Sequence, residues 1–429
     1  MSVEVEIGVN PGVIGHSHPC ADGDGTSLIA DGSKSSSNLE TPTPSTACPS
    51  FLVQGRIATA LSALGLRFAA NLGGSKLWFR LRQLTVTTMS YIGFCFTCYL
   101  AAGAESRASA LFVAGIAGLV WCEATITVLG VRCLCPDGGF EAMVGNVPSD
   151  QEEGVSKRRN MYVRRMTRLF VCVAAGSLGA SISLVGQGAQ PVFTYIGLTP
   201  PVAIIVHLFF LIIYLCVVAA AGCTCLALAL VLAAFNAQVD SVGAALASRL
   251  AATAATLESQ QAAFSVALER HMAIRRAAAV LGASTKWAAV VAVTLLSCVL
   301  AFLSSVVGIV LAGRKELLVG FQNSPLMWIM AVSNVVYSEW ALVCGLMIAL
   351  EAARLNDASR RMAQMLSEGC YGDRIERAAF RADIKEAPVQ FAVVGGSLVL
   401  DKSFVTSCCV SVFLALGSFL GGVVQHSIS

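Results

Sequence analysis

The stretch Ser403–Ser429, SFVTSCCVSVFLALGSFLGGVVQHSIS, is apolar over the length of a membrane span, yet it has two unlike faces. At helical spacing Ser403, Ser407, Ser411, Ala415, Ser418, Gly422, Gln425 and Ser429 form a small or polar stripe. Phe404, Val412, Phe413, Leu416, Phe419, Leu420, Val423 and Val424 form a bulky one. A period near 3.6 predicts a helix. A helix surrounded by lipid gains nothing from a polar stripe, whereas one that lines water or packs against copies of itself does.

The rest of the chain fits a membrane setting. Of its 429 residues 56% are hydrophobic and 13% charged, against roughly 25% charged in soluble proteins. The sixteen cysteines are scattered through apolar runs, among them Cys95, Cys98, Cys223, Cys225, Cys298 and Cys344, and act as small apolar residues rather than a disulfide framework.

Residues 1–50 are rich in Ser, Gly, Thr, Pro and Asp with no apolar period, which predicts a disordered tail. No apolar run follows Met1, so no signal peptide is expected. His16, His18, Cys20, Asp22 and Asp24 sit in this tail without a second ligand cluster, so no metal or other cofactor is expected. Residues 51–83 turn amphipathic and basic, as in a helix lying on a membrane surface.

Seven segments then approach the roughly 20 apolar residues that a bilayer requires. They are Leu84–Ala104, Ala108–Val131, Leu169–Val185, Pro201–Phe235, Trp287–Ala312, Pro325–Leu350 and Ser403–Gln425. Lysine and arginine orient them. The segments before span one and between spans two and three, four and five, and six and seven hold 26 of the 29 basic residues. The alternate loops hold only Arg107, Arg314 and Lys315. The expectation is therefore an all-α integral membrane protein with seven transmembrane helices, its N-terminus cytoplasmic and its C-terminus extracellular. That orientation is the inverse of a G-protein-coupled receptor.

The connections after spans four and six continue in a helical, Ala-rich pattern, through Asn236–Lys286 and Leu350–Glu368, and Asp373–Glu386 precedes Pro388. The expected organisation places spans one to four within 84–235 and a cytoplasmic helical extension over 236–286. Spans five and six lie within 287–350, cytoplasmic anchor helices over 351–402, and a pore-lining seventh span over 403–426.

The C-terminal third carries a further pattern: Phe380, Pro388, Phe391, then Gly396 to Lys402, then Ser418-Phe419, five apolar residues, and Gln425-His426. In this order the chain resembles the insect gustatory and odorant receptor superfamily, including gustatory-receptor-like proteins of other eukaryotes. That family ends its seventh helix with Thr-Tyr, five apolar residues and Gln-Phe. The resemblance implies a homo- or heterotetrameric, ligand-gated, non-selective cation channel in the plasma membrane. Its subunits would surround a pore lined by the seventh helix, with a small-molecule pocket in the outer half of the bundle. By position Ser411, Ala415, Ser418, Gly422, Gln425 and His426 would line that pore. Gly422 departs from the family, which places a bulky apolar residue there as a dewetted gate.

Within the spans, Glu339 in span six is an ionisable group at membrane depth and so a candidate ligand contact, together with Asn334 and Tyr337 nearby. His207 and Tyr214 share one face of span four and are weaker candidates. Glu123 in span two is expected to pair with an arginine at the inner face. No GxSxG, HExxH or P-loop pattern occurs, so an enzyme is not expected, nor is a nucleic-acid partner. The partners expected are the lipid bilayer, an unidentified small molecule, permeant cations and further copies of the chain. A non-conducting receptor or scaffold, and a secondary transporter, are the competing readings.

Overall fold

A computed structural model describes residues 107–134, 149–186, 200–251, 257–313, 325–368, 374–393 and 398–407, with Val410 and scattered positions between 81 and 98. Seven continuous helices appear among these residues: α1 (Arg107–Cys133), α2 (Ser149–Gly186), α3 (Pro200–Ala251), α4 (Leu257–Ala283), α5 (Thr285–Gly313), α6 (Pro325–Glu368) and α7 (Arg374–Glu386). One antiparallel pair follows, β1 (Ala392–Val393) with β2 (Leu398–Val399), in the register Ala392 opposite Val399. The described positions between Leu81 and Cys98 are helical, as are those from Lys402 to Ser407. The expected tail, the metal-like run at His16–Asp24 and the amphipathic segment 51–83 lie outside the described residues, apart from Leu81.

Among the described residues four helical segments are long and apolar enough to cross a membrane: Ala114–Cys133, Leu211–Ala251, Thr285–Val306 and Val335–Ser367. The protein is a multi-pass membrane protein with an all-helical bundle.

α3 is the axis of that bundle. From Val217 to Ala237 nearly every side chain is buried, as expected for a helix apolar all round. α6 packs along α3, α5 and α2, while α1 packs on α5 and α3. Lipid tails are as apolar as leucine, so such packing depends on close approach rather than on the hydrophobic effect. Gly222 shows how it is reached: a methyl group there would overlap the indole of Trp340 in α6.

α3 has 52 residues and α6 has 44, or about 78 and 66 Å at 1.5 Å per residue, against about 30 Å of hydrocarbon. Both therefore continue past the bilayer without a break. α3 runs straight across residue 236, so no boundary in the backbone separates span from extension. α2 begins at Ser149, about twenty residues before the apolar stretch that announces it. The charged segment 149–168 is helical because Val155, Tyr162 and Met166 are buried in line with Val173, a spacing of seven, four and seven.

The C-terminal halves of α3 and α6, with α4 and α7, form a second packed region. Phe264 of α4 and Phe380 of α7 meet with ring centroids 5.3 Å apart. Glu351 of α6 is fully buried and is held by Arg354 at 2.5 Å, Arg158 of α2 at 3.3 Å and the Tyr162 hydroxyl. Arg361 of α6 donates to Asn236 at 2.6 Å and to Asp240 at 3.2 Å on α3. These charge-assisted contacts fix the register of three helices where hydrocarbon no longer constrains it.

Candidate functional site

Three helices bring polar side chains to one place inside the apolar bundle. α3 supplies Tyr214 and α6 supplies Tyr337, with ring centroids 5.8 Å apart and planes inclined at 48°. α1 supplies Glu123, whose carboxyl is 3% exposed and interacts with Tyr337 and Tyr214. One turn along α6, Trp340 lies 5.9 Å from Phe170 of α2, which walls the cluster with a second aromatic pair.

The cluster is poorly satisfied. Glu123 Oε2, the Tyr337 hydroxyl and Trp340 Nε1 are all buried, and none makes a hydrogen bond of good geometry among the described residues, although the Tyr337 hydroxyl lies against Glu123 and Tyr214. A buried polar group without a partner costs about 1–3 kcal/mol, and the cost rises at membrane depth. Elsewhere in the bundle the hydroxyls are closed off: Thr127 donates to Val217 O, Thr224 to Ala220 O and Thr294 to Val290 O. Ser305 donates to Ser338, which donates to Ala301 O. Among the described residues of the membrane-embedded bundle, the buried polar atoms left open are those of the aromatic cluster; His271 Nδ1 is a further one in α4, beyond the membrane. Chemically, the aromatic cluster is a site for a small molecule with an aromatic or apolar body and one or two polar atoms.

The sequence candidates separate here. Tyr214 and Tyr337 come together. Glu339 does not join them, because it is exposed on the other side of α6. Asn334 and His207 lie on α6 and α3, but their side chains are outside the described residues. Glu123 corrects an expectation: it has no arginine partner and instead faces two tyrosines. Its depth in α1 was legible; its neighbours were not. Ser411, Ala415, Ser418, Gly422, Gln425 and His426 lie outside the described residues.

A second constellation leads from α6 to the last helix. Buried Asn356 donates to Leu400 O at 3.1 Å and to Phe391 O at 3.4 Å, and accepts from Phe391 N–H at 2.6 Å. One turn on, Ser359 Oγ accepts from Val389 N–H at 2.9 Å and meets His271 Nε2 of α4 at 3.1 Å. Gly282 of α4 packs so closely on Ala392 that a methyl group there would overlap the Ala392 carbonyl. The strands then deliver Asp401, whose carboxylate accepts from Phe404 N–H at 2.7 Å and caps the final helix. His271 is fully buried; burial, and then the Arg275 guanidinium, pull its pKa down to about 4 from the ordinary 6.5. Sequence reasoning missed His271, Asn356 and Ser359. Their signal was a polar residue on the apolar face of a helix, a pattern that mid-helix polar residues share with solvent-facing ones.

The described residues thus define an all-helical membrane bundle with a buried aromatic and carboxyl cluster, and one continuous helix, α6, runs from that cluster to the Asn356 constellation. The comparisons place it further. No family model matches the sequence, and no curated protein matches it. By structure the chain is similar to the insect olfactory receptor OR5 from Machilis hrabei, with a TM-score of 0.58 at 14% identity over 85% of this chain and 96% of that one. It is also similar to the same receptor in complex with eugenol, with a TM-score of 0.57 at 13% identity over 85% of this chain and 97% of that one. The chain has the fold of an insect olfactory receptor, and the resemblance read from its C-terminal third is matched over nearly its whole length.

Proposed function

We propose that the protein is a subunit of a chemoreceptor-like, ligand-gated, non-selective cation channel. Seven helices cross the plasma membrane with the N-terminus cytoplasmic, and four subunits assemble around a pore lined by the seventh. The observation that carries this reading is the buried cluster of Glu123, Tyr214 and Tyr337, with polar atoms left open inside a receptor fold. The eugenol complex of the Machilis receptor supports a ligand of the same class here, a small aromatic carrying a hydroxyl. On this reading the pocket centres on Tyr214 and Tyr337 inside the bundle, and Glu339, exposed on the other side of α6, is not part of it.

The decisive test is expression in a voltage-clamped cell during perfusion with small phenols, with oligomer mass measured on the purified protein. Cation current from a tetramer is the expected result, with conductance or selectivity altered by Gln425→Ala. A monomer without current overturns the channel. One sequence observation favours a second reading: Gly422 supplies no apolar plug where the family pattern calls for one. A tetramer that binds phenols without conducting would establish that non-conducting receptor.

A further inference from the structure

A recess of about 320 Å³ opens where α1 ends and α4 turns into α5, and none of its lining residues belongs to the aromatic cluster. Arg132 and Lys286 line it, with Cys133, Ser284, Thr285 and Trp287, and among the described residues no acidic one does. Both cations have exposed side chains, and neither forms an ion pair or hydrogen bond among the described residues. Their position is specific. Arg132 is the penultimate residue of the span Ala114–Cys133, and Lys286 is the second residue of the span Thr285–Val306. Two charges therefore stand at the same depth, at the membrane–water boundary, on the end of the bundle that the basic loops place in the cytoplasm.

The floor is built rather than open. Trp287 is 2% exposed and Leu134 is 1% exposed, so an apolar base lies beneath the two cations. Ala288 N–H bonds to Ser284 O as the first ladder bond of α5, so the lining residues Ser284 to Trp287 are held in place by the first turn of that helix. Basic side chains that merely mark topology stand on an open surface. Here they flank a concavity large enough for a headgroup.

We propose that this recess binds a phosphate-bearing headgroup, with Arg132 and Lys286 as its cationic contacts. An anionic lipid of the adjoining leaflet and a free polyol phosphate share this chemistry, and the depth of the recess suits the first.

Native mass spectrometry of the full chain in detergent micelles tests the proposal. The probes are dioctanoyl phosphatidylinositol 4,5-bisphosphate, dioctanoyl phosphatidylcholine and free inositol trisphosphate. The phosphoinositide is expected to be retained over the choline lipid. Arg132→Ala with Lys286→Ala should weaken that retention by about tenfold or more, the loss of at least one charge-assisted contact. Arg374→Ala, at an exposed position in α7, should leave it unchanged. Lys286→Gln alone, at an exposed position and checked for unchanged elution volume, should give a partial loss and guards against misfolding of the double variant. Preference for the lipid over the free phosphate assigns the membrane as the source, and equal binding assigns a soluble one. Equal retention of both lipids, no loss in the double variant, or an equal loss in Arg374→Ala overturns the site.

Discussion

Asn356 grips the peptide of Phe391 at both ends, accepting from its N–H at 2.6 Å and donating to its carbonyl at 3.4 Å. A side-chain amide carries its donor and its acceptor on separate atoms, as gripping both ends of one peptide requires. Asn356→Leu removes the side-chain partner of three buried backbone groups, the Phe391 N–H and carbonyl and the Leu400 carbonyl, at about 1–3 kcal/mol for each left unpaired. The expected outcome is a lower thermal midpoint, with hydrogen exchange rising first at residues 389–404. Loss of protection spread evenly over α3 would contradict it.

Two glycine substitutions should move stability in opposite directions. Gly282→Ala drives a methyl group into the Ala392 carbonyl, a backbone atom with no rotamer to change. We expect a loss of about 1–3 kcal/mol, the range for overpacking. Gly154→Ala in α2 meets nothing within 4 Å and should add up to about 1 kcal/mol by helix propensity. Urea or thermal unfolding of the two variants side by side checks both signs.

His271 makes the folded state sensitive to acid. Its pKa falls to about 4 in the folded protein from an ordinary 6.5, so the folded state holds the proton less tightly than the unfolded one. The stability that depends on neutral His271 is complete above pH 6.5 and drains away as pH falls toward 4. The total is about 3 kcal/mol from the linkage relation. Thermal midpoints from pH 8 to 4 should show this decline, and His271→Gln should flatten that part of it. An identical decline in the variant would place the acid sensitivity elsewhere.

Tyr337→Phe separates binding from folding. The hydroxyl makes no hydrogen bond of good geometry among the described residues, so its removal should cost little thermal stability. If the cluster is the ligand site, half-maximal response to a phenol should shift by about tenfold. A variant that loses stability and keeps its response would assign Tyr337 to the core.

The apolar runs announced α1, α5 and α6 in the sequence because hydrocarbon demands an unbroken stretch of known length. They did not announce the first half of α2, where Arg158 and Arg159 flank the buried stripe and hide its period in a running average of hydropathy. Nor could periodicity assign Glu123, since both an arginine at the membrane face and a tyrosine in the bundle would satisfy a carboxyl at that depth. Tyr214 and Tyr337 were visible as candidates one helix at a time. Their meeting depends on the approach of α3 and α6 permitted by Gly222, which no local pattern encodes.

Because α6 has no interruption between Pro325 and Glu368, Tyr337 and Asn356 are fixed to a single rod, about 28 Å apart along its axis. A tilt imposed at the aromatic end reaches the Phe391 grip as a lever reaches its far end, with no joint between them to absorb it. The aromatic cluster in the membrane and the setting of the helix that begins at Lys402 are thus two ends of one solid part.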